Sequence, residues 1–111
     1  MRLIDLSEQT RDAYENAMRA VVSEKEMAVS YGTREAVLCL LEDFQKCSVS
    51  CTSDEQPLRE MWGTYFSDIA KDWRTLYETT YKQPVDEARV GDPTATAVLA
   101  VAELAYALLV K

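Results

Sequence analysis

The feature that most constrains the fold is a run of apolar side chains at helical spacing in residues 57–82. At about 100° per residue these positions fall within an arc of about 120°, while polar residues such as Lys71 and Glu78 take the opposite side. Pro57 suits a first helical turn, and Pro84 stops the helix. The pattern predicts an amphipathic helix with a buried aromatic face, formed by Leu58, Trp62, Tyr65, Phe66, Ile69, Trp73, Leu76 and Tyr77.

Two further helices precede this segment. The first runs from about residue 6 to residue 30, with Asp5 or Ser7 as its N-cap, and the pair Tyr31-Gly32 is expected to stop it. The second runs from about residue 34 to residue 47 after a Thr33 cap, and its length and flanking polar residues favour helix over strand. The polar residues 48–56 are predicted to form a loop.

A fourth helix is predicted after a connector at residues 83–91, which holds one helical turn at most. Asp92-Pro93 supplies an N-cap and a first-turn proline, and residues 95–110 are almost wholly apolar. The stretch is slightly short for a membrane span and holds Glu103, so a tail anchor is disfavoured. A central core helix surrounded by the other three is the favoured interpretation. A third interpretation adds self-association through an exposed small-residue stripe that includes Ala100, Glu103 and Ala107.

Together these signals predict an all-α, four-helix, roughly antiparallel bundle. The chain has 111 residues, which is enough for one core and too few for two, so residues 1–111 are expected to form a single helical domain.

The charge balance bears on the kind of partner. Nineteen acidic residues against 12 basic ones give a net charge of −7, and no basic run stands out. Direct nucleic-acid binding is therefore not expected, because phosphate backbones are bound by clustered Lys and Arg. Ordinary solvated helix faces explain most of the acids, but two groups are candidates for docking to a basic protein surface: Asp12 and Glu15 in the first helix, and Glu42, Asp43, Asp54 and Glu55 around the polar loop.

The residue types that usually carry catalysis are missing. The chain has no His, no phosphate-binding glycine loop and no nucleophile motif, so we expect no catalytic residue, no cofactor and no metal. Cys39, Cys47 and Cys51 could form a zinc site only with a carboxylate ligand, which structural zinc sites seldom use. Their odd number and the polar N-terminus predict a cytoplasmic protein with reduced thiols.

Two other features have competing interpretations. The aromatic stripe could form a ligand groove, but helix-spaced aromatics usually form core. Glu103 could be a buried acid or base. The structural alternative puts it on an exposed edge or in an ion pair with Arg19 or Arg34.

The function predicted from these observations is non-enzymatic: a regulator or inhibitor of the immunity or anti-defence type, which docks an acidic helical surface on a larger protein. One alternative is a structural or assembly protein that oligomerises, to a homodimer for example, through the C-terminal helix. Another is a small-ligand binder with a pocket among Trp62, Tyr65 and Cys39.

Overall fold

The computed structural model describes residues 8–23, 31–50, 55–87 and 92–109. This part of the chain is helical and contains no strand, so the predicted all-α bundle is confirmed. The elements in chain order are α1 (Glu8–Ser23), α2 (Tyr31–Ser50), α3 (Glu55–Tyr81), a short 3-10 turn (Val85–Glu87) and α4 (Pro93–Leu109).

Contacts between helix ends show that α1 and α2 run in opposite directions, and that α3 and α4 do so too. Tyr14 of α1 bonds to Gln45 of α2, whereas Arg34, near the start of α2, bonds to the last turn of α1. In the same way, Gly63 near the start of α3 lies against the end of α4, and Tyr77 near the end of α3 reaches Asp92 just before α4. α4 also packs on α1, and this contact joins the two helix pairs.

An aromatic cluster joins the first three helices. The Phe44 ring of α2 lies with its centroid 5.7 Å from that of Tyr14 on α1, and 5.7 Å and 6.0 Å from those of Trp62 and Phe66 on α3. The two contacts with α3 are edge-on, a geometry that aromatic rings prefer. The predicted aromatic face of α3 is thus mostly core, but Tyr65 is 50% and Leu76 39% exposed, and the side chain of Leu58 lies outside the described ones.

The N-terminus of α4 is capped as predicted. One oxygen of Asp92, Oδ1, accepts hydrogen bonds from the backbone N–H groups of Thr94 at 3.0 Å and Ala95 at 3.3 Å. Its other oxygen, Oδ2, accepts a 2.8 Å bond from the hydroxyl of Tyr77. Pro93 is the first helical residue, where its missing N–H costs nothing. The cap therefore also ties α4 to α3.

Some predicted boundaries were wrong. Tyr31 and Gly32 do not stop α1 but begin α2, and residues 48–50 continue α2 instead of starting the loop. A first turn lacks backbone acceptors in any case, so a glycine is tolerated there, and residues 48–50 include neither Gly nor Pro to end the helix. Residues 24–30, where α1 was predicted to continue, lie outside the described residues, as do Asp5 and Ser7.

The position of α4 also differs from the prediction. It is not surrounded by the other helices but packs mainly against α1 and α3. Most of its side chains are buried, yet one stripe faces outward along its whole length. This stripe, which we name the α4 ridge, consists of Thr96, Leu99, Glu103, Tyr106 and Leu109.

Candidate functional site

Four exposed carboxylates lie on α1 and α2, and two of them, Glu15 and Glu42, lie near the contact between the two helices. We name the group the acidic seam: Asp12 and Glu15 on α1, and Glu42 and Asp43 on α2, all with exposed side chains. Each helix buries only a narrow stripe, and the four carboxylates lie on the side of their helix away from it, which keeps them at the surface. The stripes consist of Thr10, Ala13, Ala17 and Val21 in α1, and Val37, Leu41 and Phe44 in α2.

Tyr14 marks the centre of the seam. Its hydroxyl donates a 3.2 Å hydrogen bond to Oε1 of Gln45, which bridges the two helices. Partial burial, and then the negative charges of Glu42 and Glu15, raise the pKa of the Tyr14 hydroxyl. Both carboxylates therefore act on the same hydroxyl, although 27 positions separate them in the sequence. Asp12 lies one turn before Glu15, and Asp43 directly follows Glu42.

The four seam carboxylates take no part in an ion pair within residues 8–23, 31–50, 55–87 and 92–109. In that part of the chain, therefore, no contacting cation neutralises their charges. Such a group can attract a basic surface, but it offers no proton-transfer geometry. Of the other predicted partner-binding residues, Asp54 lies outside the described residues, and Glu55 begins α3 with a side chain that is not described.

Arg34 holds the two seam helices together, a role that sequence reasoning missed. Its Nε donates to the carbonyl oxygen of Val21 at 3.1 Å, and its Nη2 donates to that of Val22 at 2.9 Å, so it caps the end of α1. It also pairs with Glu35 at 3.0 Å. The available signal was a basic residue early in the helix that follows α1. No local pattern indicated that its side chain would bind the last carbonyl groups of α1.

The predicted self-association residues differ in exposure. Glu103 is exposed on the α4 ridge, while Ala100 and Ala107 are each only 8% exposed, so they do not form the outward strip that the prediction required. Glu103 and Arg19 line one groove of about 430 Å³ between α1 and α4 without forming an ion pair. Arg34, the alternative partner of Glu103, is engaged at the end of α1.

The residues of the predicted ligand pocket do not line one cavity. The rings of Trp62 and Tyr65 are in edge contact, with centroids 6.1 Å apart, but the Trp62 ring is buried. Cys39 is an exposed free thiol on α2, and Tyr65 lines a shallow groove with Glu60, Met61, Thr64 and Asp68. Across the ranges that the structure describes, no three Cys, Asp or Glu side chains gather in a way that would hold a metal ion. Nor is any helix there both long enough and apolar enough to cross a bilayer.

Comparison with known proteins gives no relative: the chain matches no protein-family model, no curated protein and no solved structure.

Proposed function

We propose that this protein is a non-enzymatic regulator or inhibitor that docks its acidic seam on a basic surface of a larger protein. The observation that carries the proposal is the 3.2 Å bond from Tyr14 of α1 to Gln45 of α2. It brings Glu15, next to Tyr14, and Glu42, one turn before Gln45, to the same helix contact, where both raise the pKa of the Tyr14 hydroxyl. A single acidic helix face is ordinary, whereas convergence across a helix pair produces a focused negative potential.

The energetics favour a cationic partner. Like charges held close together are unfavourable, and a contacting Lys or Arg surface relieves that repulsion while it forms new pairs. Because the seam is exposed, each pair contributes little by itself, about 0.2–1 kcal/mol, and is screened by salt. Recognition of this kind acts mainly on the association rate and on the choice of partner.

Specific hydrogen bonds between the seam helices support a docking role. The Tyr14–Gln45 bond and the Arg34 cap link α1 to α2 at two separate places. Preorganised charges lose less entropy on binding than charges on mobile loops. An inhibitor that blocks a basic groove, as an immunity or anti-defence protein would, needs such a fixed acidic face. Cytoplasmic residence is part of this proposal, and it rests on the free thiol of Cys39.

Two variants with the same change in net charge test the proposal. The seam variant neutralises three acids of the seam, and the control variant neutralises three exposed acids elsewhere. The substitutions are Glu15→Gln, Glu42→Gln and Asp43→Asn in the seam variant, and Glu8→Gln, Asp68→Asn and Asp72→Asn in the control.

Tagged wild-type protein is used to isolate a stoichiometric partner from cells of its source, and titration calorimetry then measures the affinity of the purified partner for all three proteins. We expect the seam variant to bind roughly tenfold more weakly, since three exposed pairs are lost, and the control to bind like wild type. Equal affinities for the two variants, or the recovery of no stoichiometric partner, would contradict the proposal.

A further inference from the structure

A groove runs beside the α4 ridge on its α3 side. It has a volume of about 440 Å³, and its lining is mostly small or apolar, with two basic residues. The lining residues are Ser67, Ala70, Lys71, Arg74, Ala102, Ala105, Tyr106 and Leu109. A ridge next to a groove on the same face is self-complementary, because a twofold axis can seat each ridge in the groove of the other copy.

The ridge exposes more apolar surface than a solvated helix face requires. Tyr106 is 61% exposed, Leu109 43% and Leu99 40%. The 17 residues of α4 span about 25 Å. With α3 alongside, the face measures roughly 25 by 20 Å in projection, and side-chain relief makes its accessible area larger. A standard interface buries about 800 Å² per partner, so this face of about 500 Å² in projection fits an interface at the small end of the range.

The charges on this face favour a second copy of the chain as its binding partner. Glu103 on the ridge and Lys71 in the groove are of opposite sign, and neither has an ion-pair partner among the described residues. Arg74 is already engaged, with bonds of 3.1 and 3.2 Å to Asp86. Arg19, on the α1 side of the ridge, also forms no ion pair among the described residues. A copy of the same face supplies an acid for Lys71 and a base for Glu103, whereas a strongly basic partner would oppose Lys71 and a strongly acidic one would oppose Glu103.

We propose that this protein forms a symmetric homodimer in which the α4 ridge of each copy lies in the α3–α4 groove of the other. Tyr106 and Leu109 cover the alanine floor of the groove, and Glu103 pairs with Lys71 of the second copy, twice by symmetry. This dimer contact uses α3 and α4, whereas the acidic seam lies on α1 and α2. The dimer is therefore independent of the proposed function and leaves the seam free in both copies.

Sedimentation equilibrium over a range of micromolar concentrations tests the interface with matched tyrosine variants. Tyr106→Glu places a charge on the ridge, whereas Tyr65→Glu changes a tyrosine of similar exposure on another face. We expect wild type to dimerise, Tyr106→Glu to raise the dimer dissociation constant at least about thirtyfold, as for a buried tyrosine anchor, and Tyr65→Glu to leave it unchanged. Circular dichroism checks that each variant is folded.

Charge reversal tests the arrangement of the two copies. Glu103→Lys and Lys71→Glu each place like charges together and are expected to weaken the dimer, whereas the double variant restores the pair with reversed polarity and recovers most of the affinity. A wild-type chain that stays monomeric at every concentration, a Tyr106→Glu variant that dimerises normally, or a double variant no better than the singles would overturn the proposal.

Discussion

Gly63 sets how closely α3 approaches α4, and replacing it with alanine tests that statement quantitatively. An ideal Cβ at this position would lie 2.6 Å from Cγ and 2.8 Å from Cδ2 of Leu109, and 3.3 Å from Cβ of Leu108. Carbon atoms prefer separations of about 3.5–4.0 Å, so Leu109 has to move by roughly 1 Å.

Two effects of opposite sign decide the outcome of Gly63→Ala. Alanine is more favourable than glycine inside a helix by about 0.8–1.0 kcal/mol. Forcing an extra methyl group into a packed contact costs about 1–3 kcal/mol. Over most of that range the cost of the close contact exceeds the gain in helix preference. Gly63→Ala is therefore expected to lower the free energy of unfolding by up to about 2 kcal/mol.

The Leu109→Ala background separates the two effects. That change removes Cγ and Cδ2, the two closest atoms, so only the helix preference and the milder Leu108 contact remain. There, Gly63→Ala is expected to raise the free energy of unfolding by about 1 kcal/mol. The two substitutions should therefore show a coupling energy of about 1–3 kcal/mol.

Urea titration of the four proteins measures this coupling, with the fluorescence of the buried Trp62 and Trp73 as the signal. The decisive quantity is the difference between the effects of Gly63→Ala in the two backgrounds. If alanine stabilises both backgrounds equally, α3 and α4 are not in contact at Gly63, and the proposed packing of this helix pair is wrong.

Three further predictions follow from single contacts. Arg34→Ala removes two charge-assisted hydrogen bonds to carbonyl groups at the end of α1. Urea titration should show that the free energy of unfolding falls by about 1.5–3 kcal/mol. A fall well below the lower of these values would mean that the cap is not formed. Lys82 has a φ of 54°, so Lys82→Gly should raise the melting temperature, with a gain of about 0.5–1 kcal/mol, and an unchanged or lower value would contradict the left-handed backbone. Burial and the hydrogen bond to Asp92 raise the pKa of Tyr77. Its contribution to stability is therefore complete below a pH of about 10 and is lost as the pH rises through the folded-state pKa. The melting temperatures of wild type and Tyr77→Phe should converge above that pH, and a constant difference would refute the assignment.

Local signals in the sequence determined the number of helices, both ends of α3 and the start of α4. The aromatic spacing in residues 57–82 predicts α3 to within two residues, because an amphipathic stripe needs only its own helix to be recognised. Asp92 and Pro93 predict the start of α4 for a similar reason, since a cap bonds to its own first turn. The stop assigned to Tyr31 and Gly32 failed, because a glycine at a boundary suits a helix end or an early turn equally well.

Only the tertiary structure decided which side of α4 faces outward and which acids meet. A helix that is apolar on all sides carries almost no directional signal, so the choice between Ala100 and Leu99 for the exposed stripe depended on where α1 and α3 pack. The convergence of Glu15 and Glu42 likewise follows from the antiparallel pairing of α1 with α2. Composition determined that the chain is acidic and without histidine, but the distance between two side chains on different helices is set by packing, which no local pattern encodes.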